Sequence, residues 1–157
     1  MMLRSIGEFI SEITGGERDP ENFDETDFRL AAAALLVHVA TSDNQFDERE
    51  REKLRHVLAS RFELGKEEVE QLLDSAIRAD LEAVDLYQFT SVLNRAFDDE
   101  GRQRVVEMMF EVAYADGQLS EFEDNVVWRA AELMHVPSRA RVTIRRQVRN
   151  ESGEDQN

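Results

Sequence analysis

Apolar residues recur at helical spacing along nearly the whole chain, and short polar interruptions cut that pattern into segments. Leu3, Ile6, Phe9, Ile10 and Ile13 predict a short amphipathic helix, stopped by Gly15-Gly16. "ERDPENFDE" then reads as a polar linker. From Thr26 to Thr41, Phe28, Ala31, Ala32, Leu35, Leu36 and Val39 give a wide apolar face. "SDNQF" breaks it. Leu54, Val57 and Leu58 place a second helix of this series from about Asp47 to Phe62. Val69, Leu72, Leu73 and Ile77 mark a third in "KEEVEQLLDSAIRA", Lys66 to Ala79, and Leu86, Phe89, Leu93 and Phe97 a fourth in "VDLYQFTSVLNRAF".

The pattern then restarts. "EGRQRVVEMMFEVAYA" carries Val105, Val106, Met109, Phe110, Val112 and Ala113; "ADGQL" interrupts; "SEFEDNVVWRAAELM" carries Phe122, Val126, Val127, Ala130 and Met134. "VPSRARVTIRRQV" closes the order, with Pro137 at a helix start. No segment alternates with period two, so the expected class is all-α: a single-domain bundle of about seven or eight helices with an internal duplication. Residues 1–25 form the N-terminal helix and linker, 26–149 the helical domain, and 150–157 a polar tail expected to fray. Trp128, Phe122 and the Met108-Met109 pair read as core.

Composition narrows the function more than the fold. The 157 residues suit one domain, and 41% apolar content supports one core. The absence of Cys removes disulfides, thiolate zinc sites and cysteine nucleophiles. A net charge of −15 removes nucleic acid as a main partner, because phosphate binding needs clustered Lys and Arg. It favours cations or basic partners. Arg139, Arg141, Arg145, Arg146 and Arg149 stand against that trend, with no acid among them. They are expected to balance the Glu-rich segment from Lys66 to Ala79, with Val142, Ile144 and Val148 facing inward. The N-terminus lacks the continuous apolar run of a secretory signal, so the cytoplasm is the expected location.

One phrase is written twice: "ATSDNQFDERE" from Ala40 to Glu50 and "AYADGQLSEFE" from Ala113 to Glu123. Helix-corner physics explains most of it. Asp47 with Glu50, and Ser120 with Glu123, have capping-box spacing. Glu48 and Glu121 suit a helix N-terminus, Gly117 and Asn44 suit a left-handed turn, and Phe46 and Leu119 can plug the corners. Asp43 and Asp116 are least explained, since each stands where a helix ends. An Asp before a turn with carboxylates after it can also gather oxygen ligands around a hard cation. The spacing is not that of an EF-hand: the sixth and twelfth positions are Glu48 and Leu54 from Asp43, and Glu121 and Val127 from Asp116.

These two phrases, in two helical contexts, resemble the bacterial TerB-like proteins associated with tellurite resistance. The resemblance covers about Thr26 to Val148. It implies an all-helical domain that binds metal ions through acidic residues and works with protein partners in membrane-linked stress complexes. On that analogy the metal residues are Asp43, Glu50, Asp116 and Glu123, although Asn44 replaces the Gly of the family phrase. Oxygen ligands favour calcium, magnesium or manganese. Zinc enters only if His38, five residues before Asp43, joins; the plainer role for His38 is a hydrogen-bonded core residue. Glu111 occupies the matching place before Asp116. No nucleophile, phosphate loop or substrate pocket is marked, so no enzymatic activity is expected. The rival readings are a protein-interaction scaffold without a metal, and a hydrolase using metal-bound water.

Overall fold

A computed structural model of the chain describes residues 27–42, 46–115 and 117–154. Among the described residues there are seven α-helices and no strand: α1 Phe28–Thr41, α2 Glu48–Phe62, α3 Lys66–Glu82, α4 Tyr87–Ala96, α5 Asp99–Ala113, α6 Glu121–Leu133 and α7 Ser138–Glu154. The expected N-terminal amphipathic helix and the turn residue Asn44 lie outside the described residues. No described helix is long and apolar enough to cross a membrane.

α1 is the axis of the bundle. Every residue from Arg29 to Val37 is buried, and α2, α3, α4, α5 and α6 all pack against it. Its run of four alanines, Ala31 to Ala34, has no bulk on any side, so neighbours approach closely all round. A helix apolar on one face lies on a core; one apolar on every face lies inside it. The expected wide face is therefore a whole circumference. α5 forms the second axis, packed on α1, α2, α6 and α7. Phe28 joins the ends, its ring centroid 6.5 Å from that of Phe62 and 5.5 Å from that of Phe97.

The helix ends have local causes. Asp27, Asp47, Asp98 and Ser120 each accept an N–H of the first turn they precede. α2 and α6 stop alike. Glu63 (φ 53°) and His135 (φ 61°) take the left-handed conformation. Leu64 N–H then reaches back to Ala59 O and Val136 N–H to Ala131 O, both at the spacing of a Schellman motif. Leu64 and Val136 are both buried, which adds the apolar contact that goes with this ending.

Three expectations change. The third helix runs on to Glu82, and α4 starts only at Tyr87, leaving Val84 in an exposed connection. Phe122 and Trp128 are not core: they are 62% and 43% exposed, whereas Met108 and Met109 are fully buried. The inward stripe of α6 is Glu123, Val127, Ala130, Ala131 and Met134. Phe122 and Trp128 each stand one position off it, about 100° round the helix. Finally, the arginines of α7 do not balance α3. α7 packs on α5 through Ile144 and Val148, with Val142 half-buried. Its charge partner is Asp124 on α6, 3.6 Å from Arg145 and 4.0 Å from Arg141.

Candidate metal centre

The two corners re-enter helix alike. α1 ends with Thr41 Oγ1 donating to Val37 O at 3.0 Å and Ser42 Oγ to Val39 O at 2.8 Å. The chain re-enters as helix at Asp47, whose Oδ1 accepts Glu50 N–H at 2.9 Å. At the second corner Tyr114 closes α5 on Phe110 O. Gly117 turns at φ 86°, a conformation that needs glycine here. Ser120 Oγ accepts Glu123 N–H at 3.1 Å, and Glu123 Oε1 accepts Ser120 N–H at 3.1 Å, a complete capping box. Glu50 and Glu123 thus occupy the same place, the third residue of a helix after a corner, and they are only 6% and 5% exposed.

Asp43 and Asp116, the other two expected ligands, lie outside the described residues. Among the described residues no group of three or more His, Asp or Glu side chains could hold a metal ion. Phe46 and Leu119 are half-buried at their corners, and the Arg51 guanidinium lies 5.4 Å from the Phe46 ring centroid.

His38 has a partner 42 residues away. Its Nδ1 donates to Asp80 Oδ1 at 2.7 Å, tying α1 to the last turn of α3. In the neutral ring this leaves Nε2 as the lone-pair nitrogen, the form in which a histidine ligates metal. Glu111 is tied up differently. Together with Glu107 it accepts from Arg61, which joins α2 to α5. Burial pushes the Glu111 carboxyl up, and the Arg61 cation offsets this only in part. Burial also works against the Arg61 cation, but Glu111 and Glu107 outweigh it and raise its pKa. His38 and Glu111, matched in the two phrases, are therefore not matched in role.

The family model described as tellurite resistance protein TerB matches residues 29–146, well over half of the 157 residues. The chain belongs to the TerB family. The TerB match begins within the first turn of α1 and ends in α7, so it takes in both corners and all seven described helices. No curated protein and no solved structure matches the chain.

Two arrangements escape a reading of the sequence. The His38–Asp80 bond spans two helices, so no local spacing reveals it. One signal did exist: Asp80 lies in the last turn of α3, where the helix dipole disfavours an anion and calls for a cation or donor. The Arg61–Glu107–Glu111 cluster gives less warning, since Glu107 and Glu111 read as an ordinary polar stripe on α5.

Proposed function

We propose that this TerB chain is a non-enzymatic module that binds a divalent cation at its acidic helix corners and works in the cytoplasm within stress-response complexes. The observation that carries the reading is the pair of buried, equivalently placed carboxylates, Glu50 and Glu123. An ionised carboxylate taken from water needs compensation by donors or a cation. The bond from such a glutamate to the preceding helix start does not itself require full burial, as Glu68 shows: its Oε1 accepts Gly65 N–H at 2.9 Å from a half-buried position. Asp43 and Asp116 stand seven residues before Glu50 and Glu123 and would supply the remaining oxygens. Such hard ligands suit calcium, magnesium or manganese. Zinc would draw on His38, whose ring Asp80 orients.

Calorimetry on metal-stripped protein tests this. One of these cations should give saturable heat, and at a hundredfold excess over Kd it should stabilise the fold by about 2.7 kcal/mol. Asp43→Asn and Asp116→Asn should each weaken that gain. A sodium chloride control at matched ionic strength removes the screening that any cation gives a −15 chain. Absence of saturable heat for all four metals sinks the proposal and leaves the corners as helix caps.

The second reading is a protein-interaction scaffold. It is favoured by the exposed apolar residues Leu81, Val84, Tyr87, Phe122 and Trp128.

A further inference from the structure

Among the described residues, three of the large apolar side chains left exposed stand together. Leu81, Val84 and Tyr87 are 80%, 95% and 63% exposed, at the end of α3, in the connection and at the start of α4. Beside them runs an open groove of about 520 Å³ between α1, α3 and α4. Glu82 and Gln88, which bracket the connection, both line it, so projection and hollow lie side by side. Leu30, Ala31, Ala79, Phe89 and Val92 give the groove an apolar lining. Its charged lining carries both signs, Arg78 and Arg95 against Glu82. A second acid, Asp85, follows Val84 in the connection, where its Oδ1 accepts Tyr87 N–H at 2.9 Å. All four charged side chains are exposed, and none makes an ion pair with a described residue. Arg78 and Glu82 stay apart even though they stand four residues apart on one helix. Arg95 reaches only Ser91 Oγ, at 3.0 Å.

We propose that this patch joins two copies of the chain about a two-fold axis, the exposed connection of each seated in the groove of the other. A two-fold interface brings the same surface of both copies together, so it needs a surface complementary to itself. This one has an apolar projection next to an apolar hollow, and two cations next to two anions. The two-fold sets Arg78 and Arg95 of one copy against the acidic connection of its partner, and the reverse pairing follows by symmetry. A segment of single charge would attract one pair and repel the other, whereas a second copy brings both signs. Taking Leu81, Val84 and Tyr87 out of water supplies the drive. Tyr and Arg are also the residue types that such contacts favour. The inference does not depend on the metal reading, and metal-stripped protein keeps the two tests separate.

Sedimentation equilibrium of the full chain at physiological salt tests this, after circular dichroism confirms that each variant is folded. The native chain should dimerise with a Kd below about 100 μM. Val84→Asp changes a side chain that is 95% exposed, so it spares the core, and it should weaken dimerisation roughly tenfold or more. Arg78→Glu with Arg95→Glu, and separately Glu82→Arg with Asp85→Arg, should each leave monomers. The second pair makes the chain less acidic, so overall repulsion does not explain its effect. Mixed in equal amounts, the two charge-swapped chains should form a heterodimer, because opposite charges then face each other again. Trp128→Ser, at the exposed aromatic of α6, should dimerise like the native chain. Should a charge-swapped chain not fold, Val84→Asp decides by itself. A native chain still monomeric at about 100 μM leaves the groove to some other partner and overturns the proposal. A dimer that withstands Val84→Asp and the charge swaps forms through another surface and overturns it as well. So does failure of the two folded, charge-swapped chains to pair.

Discussion

At the scale of single residues, the caps and turn positions carry the clearest expectations. Ser120→Ala removes one half of a reciprocal box and should cost about 1 kcal/mol in a chemical-denaturation curve. His135→Gly should act in the opposite sense. His135 holds φ 61° with a side chain that disfavours it, so glycine should relieve about 1 kcal/mol, less the extra chain entropy of glycine in the unfolded state. A higher denaturation midpoint for His135→Gly checks this. Glu111 gives a signed pH effect. Its folded-state pKa lies above its unfolded value, so the folded state holds the proton more tightly through that window. Stability from this group is full below the ordinary carboxyl range and is lost as pH rises through the raised value. The stability difference, native protein minus Glu111→Gln, should therefore fall as pH increases across that range and then level off. A difference that grows with pH would contradict the assignment.

At the scale of elements, α6 and α7 separate burial from hydrophobicity. α6 exposes its two aromatics while burying Glu123 at its N-terminus. Trp128 is the only tryptophan, so intrinsic emission reports it alone. Acrylamide should quench the native protein readily, and Trp128→Ser should leave the melting temperature nearly unchanged, since surface substitutions stay within about 0.5 kcal/mol. α7 is the converse: a strongly basic helix held by few apolar contacts. Ile144 and Val148 are 7% and 2% exposed and seat it on α5. Ile144→Ala should cost roughly 2 to 5 kcal/mol by thermal or denaturant unfolding. Arg145→Ala should cost far less, because its bridge to Asp124 is long and partly exposed.

At the scale of the whole molecule, one buried helix organises the rest. With α1 enclosed by five neighbours, the two halves of the chain share one core, so unfolding should be a single transition. Arg61, between Glu107 and Glu111, links α2 of the first half to α5 of the second, and Asn94 Nδ2 donates to Leu133 O at 2.9 Å, linking α4 to the end of α6. The two helix corners therefore sit on one cooperative body.

The sequence by itself determined the class, the order of the helices and the caps. Helical periodicity and the rules at helix ends are local physics, carried by residues three or four apart. For that reason Asp47, Ser120, Gly117 and the Met108-Met109 pair stand where the pattern puts them. The TerB resemblance was legible for the same reason, since its phrase is a local one. Tertiary structure decided what periodicity leaves open. It chose which of two adjacent apolar positions faces inward, burying Val127 and exposing Trp128. It enclosed α1 on every side, and it gave His38 to Asp80 and Arg141 and Arg145 to Asp124. It also placed Glu50 and Glu123 in equivalent buried positions, which spacing alone does not fix. Each of these depends on where a second helix lies, and a pairing across tens of residues leaves no mark on the spacing within either partner.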